Sequence, residues 1–145
     1  MSFHTWHIYG YGVCTDEIGD VTVDKLKKLL TFAPKYEANI NEWLQDCQID
    51  NPTVEDYYEY DQDWCLELAT ILKEVILEAE GIDLTACDDC VGSKYLIYEP
   101  RYPWVLTEQD KLVTRDRLDE VFTKYISILT EKVPFVDYQS VENGG

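Results

Sequence analysis

The feature that most constrains this sequence is an apolar stripe with helical spacing in the middle of the chain. It is followed by Gly81, a residue type that readily ends a helix in the left-handed conformation. The stripe therefore predicts a central core helix that begins near Trp64 and stops at Gly81. Its members are Trp64, Leu68, Ile71, Leu72, Val75, Ile76 and Ala79.

Further helices are predicted on both sides of this stripe. Apolar residues at helical spacing predict a helix over 20–32, and Pro34 suits the first turn of a second helix that runs through Cys47. Thr53 resembles an N-cap, although the tyrosine-rich segment behind it also fits a separate turn. Thr114 is expected to cap a last long helix with a core-facing stripe formed by Leu118, Val121, Phe122, Tyr125, Ile126 and Leu129.

Four segments have the composition of β-strands. Segment 3–14 is aromatic and nearly alternating, and its Gly10 and Gly12 permit a bulge or a close backbone approach. Segments 82–86 and 95–98 are predicted strands joined by an exposed hairpin loop, and 135–141 is the predicted last strand. Because strands occur at both ends and in the middle, around a group of helices, we expect a two-layer α+β fold. It should contain a small antiparallel or mixed sheet of about four strands, packed against about four helices.

Length and acidity together suggest one domain with an acidic centre. The 145 residues fit a single compact domain, 1–145. The net charge is −17, of which residues 36–93 contribute −15, because they hold sixteen acids and the single base Lys73. Such a field repels nucleic acid and anionic membranes and attracts basic proteins. Direct binding to nucleic acid or to a membrane is therefore not expected.

The expected compartment is the cytoplasm. No apolar run is long enough to cross a bilayer, and the first residues lack the basic and apolar regions of a signal peptide. The five cysteines are an odd number in a domain large enough to fold without disulfides, which indicates reduced thiols. If a phage encodes the protein, the compartment is that of its bacterial host.

Carboxylates recur every four residues at Glu55, Glu59, Asp63 and Glu67. On one continuous helix they would lie about 6 Å apart along one edge, close to the spacing of neighbouring phosphates in a nucleic-acid strand. Tyrosines alternate with these acids, and tyrosine is enriched at binding hot spots. The predicted partner-binding residues are Glu55, Asp56, Tyr57, Tyr58, Glu59, Tyr60, Asp61, Asp63, Glu67, Glu74 and Glu78.

Two plainer interpretations of this segment stay open. Most runs of charge are only solvated faces, and one or two of the tyrosine rings fit a role in covering the core. Against the first interpretation, like charges at i, i+4 spacing destabilise a helix by about a few tenths of a kcal/mol each. No lysine is interleaved with the carboxylates here to relieve that repulsion.

A metal site and catalytic chemistry are the remaining possibilities. Cys87 and Cys90 have the spacing of half a zinc knuckle, and His4 and His7 would supply two more ligands. Against this site, histidines three residues apart on a regular strand point to opposite faces of the sheet. The neighbouring aspartates raise the pKa of the thiols, which opposes a redox role.

No phosphate-binding glycine loop, EF-hand spacing or nucleophile and base pair is present. We therefore expect no catalytic residue, no enzyme activity and no cofactor.

These features favour an acidic inhibitor that imitates nucleic acid and blocks the basic cleft of a nucleic-acid enzyme. The expected partner is a basic nucleic-acid-binding protein such as a CRISPR effector or a nuclease, by analogy with phage anti-CRISPR and anti-restriction proteins. An immunity protein for a nuclease toxin would use the same chemistry. A small metal-binding or regulatory domain is the alternative from a different class.

Overall fold

The computed structural model describes residues 5–19, 21–61, 64–89, 91–99 and 113–144. Within them the chain forms five helices and a four-stranded antiparallel sheet, which confirms the predicted α+β class. The strands are β1 (Thr5–Cys14), β2 (Thr85–Asp88), β3 (Lys94–Tyr98) and β4 (Asp137–Gly144). The helices are α1 (Val23–Leu30), α2 (Pro34–Asp46), α3 (Val54–Tyr60), α4 (Leu68–Glu80) and α5 (Arg115–Leu129), and a 3-10 turn, Thr15–Glu17, follows β1.

The sheet is curled around its long central strand, β1. The strand order is β2-β3-β1-β4, and all neighbours are antiparallel. Residues 5–12 of β1 pair with β4, whereas residues 11–14 pair with β3. The two pairings overlap only at Tyr11 and Gly12, so β3 and β4 are staggered along β1. The outer strands β2 and β4 approach within 8 Å between Cα atoms, although they are not neighbours in the sheet, which indicates that the sheet curls.

Two glycines of β1 make this curl possible. A Cβ atom on Gly12 would overlap the carbonyl oxygen of Leu96 and lie 2.7 Å from Cα of Ile97. A Cβ atom on Gly10 would lie 2.6 Å from the carbonyl oxygen of Tyr98. The close backbone approach predicted for these glycines is therefore confirmed.

The two faces of the sheet carry separate apolar clusters. On one face Tyr11, Val13 and Leu96 join the helices in the main core. On the opposite face Ile97 and Val141 form a smaller cluster with three neighbouring side chains, those of Ile8, Cys87 and Tyr95. Since strands β2 and β4 approach each other, this second cluster fills the concave side of the curl. The sheet therefore buries apolar side chains on both faces.

The helices follow the predicted apolar stripes closely. All six residues predicted for the last helix are buried in α5, and Leu68, Ile71, Leu72, Val75 and Ile76 are buried in α4. The prediction was wrong for Ala79, which is exposed, because the stripe ends one turn before the helix does. Threonines cap the starts of three helices. Their hydroxyl oxygens accept hydrogen bonds from backbone N–H groups of the first turn, in α1 (Thr22), α3 (Thr53) and α5 (Thr114). Gly81 ends α4 in the left-handed conformation, with a φ of 72°.

Strand β2 lies further along the chain than predicted. Ile82 and Leu84 are buried before the strand starts, and the strand itself is Thr85–Asp88. Cys87, predicted in an exposed loop, is therefore a buried strand residue, 7% exposed. The turn behind it is built by Asp89, whose Oδ1 accepts hydrogen bonds from the N–H groups of Val91 and Ser93.

The two terminal strands differ from their predictions in smaller ways. Residues 3 and 4 of the first predicted strand lie outside the described residues, and β1 includes the rest of it. The last strand begins at Asp137, because Phe135 precedes the pairing with β1 and is 80% exposed. Among the described helices, none has the length and apolar content that crossing a membrane requires.

Candidate functional site

The predicted row of carboxylates on one helical edge is wrong. Helix α3 ends at Tyr60, the backbone of Asp61 is extended, and α4 starts only at Leu68. The chain turns here because the two helices pack on different partners. Tyr57 of α3 lies against Trp43 of α2, whereas α4 packs on β2, β3 and α5. Asp63, a member of the predicted row, lies outside the described residues.

The turn nevertheless brings three predicted residues together around one groove. Glu55 and Tyr58 of α3 face Glu67 at the start of α4, and all three line a groove of about 390 Å³ that we call the Tyr58 groove. Burial, followed by the charges of Glu67 and Glu55, raises the pKa of the Tyr58 hydroxyl. Glu59 lines a second depression that shares the same three residues. Glu55, Glu59 and Glu67 are all exposed.

Glu67 is held in a backbone conformation that favours glycine. Its φ is 52° and its ψ is −123°, which are the angles of the first central residue of a type II′ turn. The turn is closed by a hydrogen bond of 3.1 Å from the N–H of Ala69 to the carbonyl oxygen of Leu66. A non-glycine residue in such a conformation costs about 1–3 kcal/mol. The fold therefore keeps a carboxylate beside the groove at the expense of local strain.

Replacing Glu67 with glycine is expected to raise the free energy of unfolding by about 1 kcal/mol, because the relief of strain exceeds the extra entropy of the unfolded chain. Glu67→Ala is the matched control, since it removes the same charge and keeps the strain. Urea denaturation of both variants measures the difference. If Glu67→Gly is no more stable than Glu67→Ala, the conformation carries no strain.

The three tyrosines of α3 have different roles. Tyr57 is fully buried, and its hydroxyl donates a hydrogen bond of 2.6 Å to Oδ1 of Asn39. Burial also raises its pKa to about 12. The prediction that Tyr57 contacts a partner is therefore wrong, and its ring covers the core. Tyr60 is half-exposed, with its ring centroid 6.2 Å from that of Trp43, and Tyr58 is partly buried at the groove.

Some of the other predicted acids serve the fold. Asp56 forms the capping box of α3, since its carboxylate accepts hydrogen bonds from the N–H and the hydroxyl of Thr53. The hydroxyl of Tyr36 donates to Glu74 over 3.2 Å. Asp61 is the C-cap of α3 and is partly buried. Glu78 is exposed on α4, as a partner-binding residue must be.

The exposed carboxylates of residues 36–93 form what we call the acidic surface. Its members lie on α2, α3, α4 and the segments that flank them, so they are not confined to one helical edge. Its described members are Glu42, Asp46, Asp50, Glu55, Glu59, Glu67, Glu78 and Asp83. Lys73, the single base of the segment, already pairs with Glu74 and Asp83, each over 3.9 Å.

The opposite wall of the Tyr58 groove was missed by sequence reasoning. Asp16 of the 3-10 turn and Lys94 of β3 line it, although they lie far from α3 in sequence. The backbone N–H of Lys94 donates to Oδ1 of Asp16 over 3.3 Å, and the Thr15 hydroxyl donates to the Lys94 carbonyl over 3.2 Å. No local pattern marks these residues, because only the pairing of β1 with β3 brings them to the groove.

The alternative zinc ligands are separated by the strand register. Cys87 lies opposite Tyr95, which lies opposite Cys14, so Cys87 is level with the end of β1. His7 lies seven residues earlier than Cys14 on β1, about 23 Å away along the strand, so the register does not pair it with the position of Cys87. His4 and Cys90 lie outside the described residues, within which no group of three possible ligands occurs. Burial, with Glu99 and Asp88 nearby, raises the pKa of Cys87 to about 11, which opposes thiolate chemistry.

Comparison of the chain with protein family models, curated proteins and solved structures found no match. A functional conclusion therefore depends on the chemistry of the described side chains. They offer exposed carboxylates, a groove with a tyrosine hydroxyl, and no cluster of metal ligands.

Proposed function

We propose that this protein binds a basic surface of another protein through its acidic surface, and that it inhibits a nucleic-acid enzyme by occupying the cleft where nucleic acid binds. The observation that carries the proposal is the excess of exposed carboxylates over bases. Among the described residues of 36–93, eight carboxylates are exposed, while Lys73 is engaged by Glu74 and Asp83. The single base of this segment is therefore already engaged by carboxylates of the same segment.

A surface of this kind can replace nucleic acid in electrostatic terms. Lysines and arginines that grip a phosphate backbone gain affinity from its negative charge, and exposed carboxylates attract the same side chains. The field of the acidic surface also accelerates the approach of a basic partner. The carboxylates are spread over several elements, so the mimicry proposed here is that of a charged area and not of one regularly spaced strand.

Within this class we favour an inhibitor of a bacterial defence enzyme, of the anti-CRISPR or anti-restriction type, acting in the cytoplasm of a bacterium. The target would be a CRISPR effector or a nuclease. An immunity protein that covers the active site of a nuclease toxin would use the same surface, and the identity of the captured partner separates the two.

The test begins with capture of partners from bacterial lysate at about 0.1 M salt and release at about 1 M salt, where exposed charges are screened within about 3 Å. A captured nucleic-acid enzyme is then assayed with and without the protein. We expect its inhibition. We also expect the combined variant Glu55→Gln, Glu59→Gln and Glu67→Gln to bind about threefold to 150-fold more weakly, since each exposed contact contributes about 0.2–1 kcal/mol.

The matched control removes three exposed acids outside residues 36–93, with the changes Asp116→Asn, Glu131→Gln and Glu142→Gln. It alters the net charge by the same amount, so its affinity should stay close to that of the wild type. Equal weakening by both variants would assign the effect to net charge alone. Capture that resists salt, or a partner that nucleic acid does not displace, would contradict the proposal.

A further inference from the structure

The Tyr58 groove combines an apolar floor with charged walls. Ile18, Val54 and Leu68 form the floor, and each of them is also part of the main core. Their exposed fractions lie between 6% and 8%, so each presents only a small part of its surface to the groove. The volume of about 390 Å³ is ample for one long side chain but small for a folded element.

Both walls of the groove are fixed by the fold. One wall is the 3-10 turn, which is attached to β3 by the hydrogen bonds of Thr15 and Asp16 with the backbone of Lys94. The other wall is α3, whose start is set by the capping box of Thr53 and Asp56. A ligand would therefore meet a preformed site and not a site that has to be ordered on binding.

The charges of the groove select a cation. Asp16, Glu55 and Glu67 contribute three carboxylates to the described lining, and Lys94 contributes one base. The Tyr58 ring lies on the same wall as Glu55, and its hydroxyl is electrostatically coupled to Glu55 and Glu67. An aliphatic stem would fit the floor while its charged end reaches the carboxylates, as the stems of long cationic side chains do on apolar surfaces.

We infer that the Tyr58 groove is the anchor site for an arginine side chain of the partner. The guanidinium group is planar, pairs with carboxylates through two N–H groups at once and stacks on aromatic rings, which suits a site with two glutamates and a tyrosine. This inference rests on the proposed function, because it names the side chain of a basic partner that the acidic surface receives. It makes the groove the specific part of an otherwise diffuse electrostatic contact.

The probe for this site is N-acetyl-arginine amide, compared with N-acetyl-citrulline amide, which has nearly the same shape and no charge. Titration is followed by the methyl NMR signals of the floor residues Ile18, Val54 and Leu68. We expect saturable shifts with the arginine probe at about 1 mM or above, as one side chain binds weakly. The citrulline probe should bind at least tenfold more weakly.

A steric variant separates the groove from the overall charge. Gly19 lines the groove, a Cβ atom there would meet nothing within 4 Å, and its φ is not in the left-handed region. Gly19→Phe adds a bulky ring at the lining of the groove without changing the net charge, and its thermal unfolding curve confirms that it folds. We expect it to bind the arginine probe at least tenfold more weakly and to lose affinity for the captured partner.

The outcomes distinguish this inference from the proposed function. If the arginine probe leaves the floor methyl signals unchanged, or if Gly19→Phe binds probe and partner as the wild type does, the anchor site is refuted. The acidic surface would still be supported, provided that the triple glutamine variant loses affinity. If neither variant changes partner binding, both the anchor and the proposed function fail.

Discussion

Replacing Gly12 with alanine is expected to destabilise the fold strongly. The added Cβ would overlap the carbonyl oxygen of Leu96 and lie 2.7 Å from Cα of Ile97, so it meets backbone atoms and not the flexible end of a side chain. Overpacking in a core costs about 1–3 kcal/mol even where side chains can adjust. Here the whole β3 strand would have to move away from β1. We therefore expect a loss of at least about 3 kcal/mol in the free energy of unfolding.

The control for this change is Gly19→Ala, because a Cβ atom at that position meets nothing within 4 Å. Its stability should stay within about 0.5 kcal/mol of the wild type. Urea denaturation followed by tryptophan fluorescence measures both variants. A Gly12→Ala protein that unfolds at nearly the wild-type urea concentration would show that β1 and β3 need not approach so closely.

Local patterns predicted the elements of this fold better than their arrangement. The stripe of α5 and the caps at Thr53 and Thr114 depend on neighbouring residues, so the sequence alone reveals them. The curl of the sheet depends on which strands pair with which part of β1, and that information is not local. Gly10 and Gly12 indicated a close approach, but their partner strand was visible only in the folded chain.

The same distinction explains the candidate site. Regular spacing of acids suggested one helix from Glu55 to Glu67, but spacing does not report that α3 and α4 have different packing partners. The turn between them moves Glu67 beside Tyr58. Tyr57, which sequence cannot distinguish from its neighbour Tyr58, is buried because it packs against Trp43 of α2. The opposite wall, with Asp16, was beyond sequence reasoning because strand pairing places it there.

Twelve of the fifteen described carboxylates of the acidic segment fall into two groups. Asp56, Glu74, Glu80 and Asp89 accept hydrogen bonds that hold helix ends, helix contacts or a turn. The second group consists of the exposed members of the acidic surface. This division matters for experiments, because neutralising the first group tests the fold and neutralising the second tests binding.

Glu80 is the member of the first group whose replacement should have the largest effect. Its side chain is 11% exposed and accepts hydrogen bonds from Nη2 of Arg117 at 2.6 Å, Nζ of Lys124 at 3.3 Å and the hydroxyl of Tyr125 at 2.7 Å. It lies at the C-terminal end of α4, where the helix dipole disfavours a negative charge, and these donors from α5 compensate. Glu80→Ala leaves the Tyr125 hydroxyl without its acceptor, so we expect a loss of about 3 kcal/mol. Glu78→Ala, an exposed change on the same helix, should alter stability by less than about 0.5 kcal/mol.

The contribution of Glu80 should also depend on pH in a defined direction. Burial opposes ionisation of its carboxyl group, but hydrogen bonds from Tyr125 and Lys124 outweigh it and hold the pKa below its ordinary value of 4.5. A group with a lowered pKa in the folded state stabilises fully above its unfolded pKa and loses that effect as the pH falls through the folded pKa. Glu80→Gln cannot titrate, so the stability difference between it and the wild type should be constant near neutral pH. It should shrink steadily below about pH 4.5. A difference that stays constant into this acidic range would mean that Glu80 contributes through shape and not through its charge.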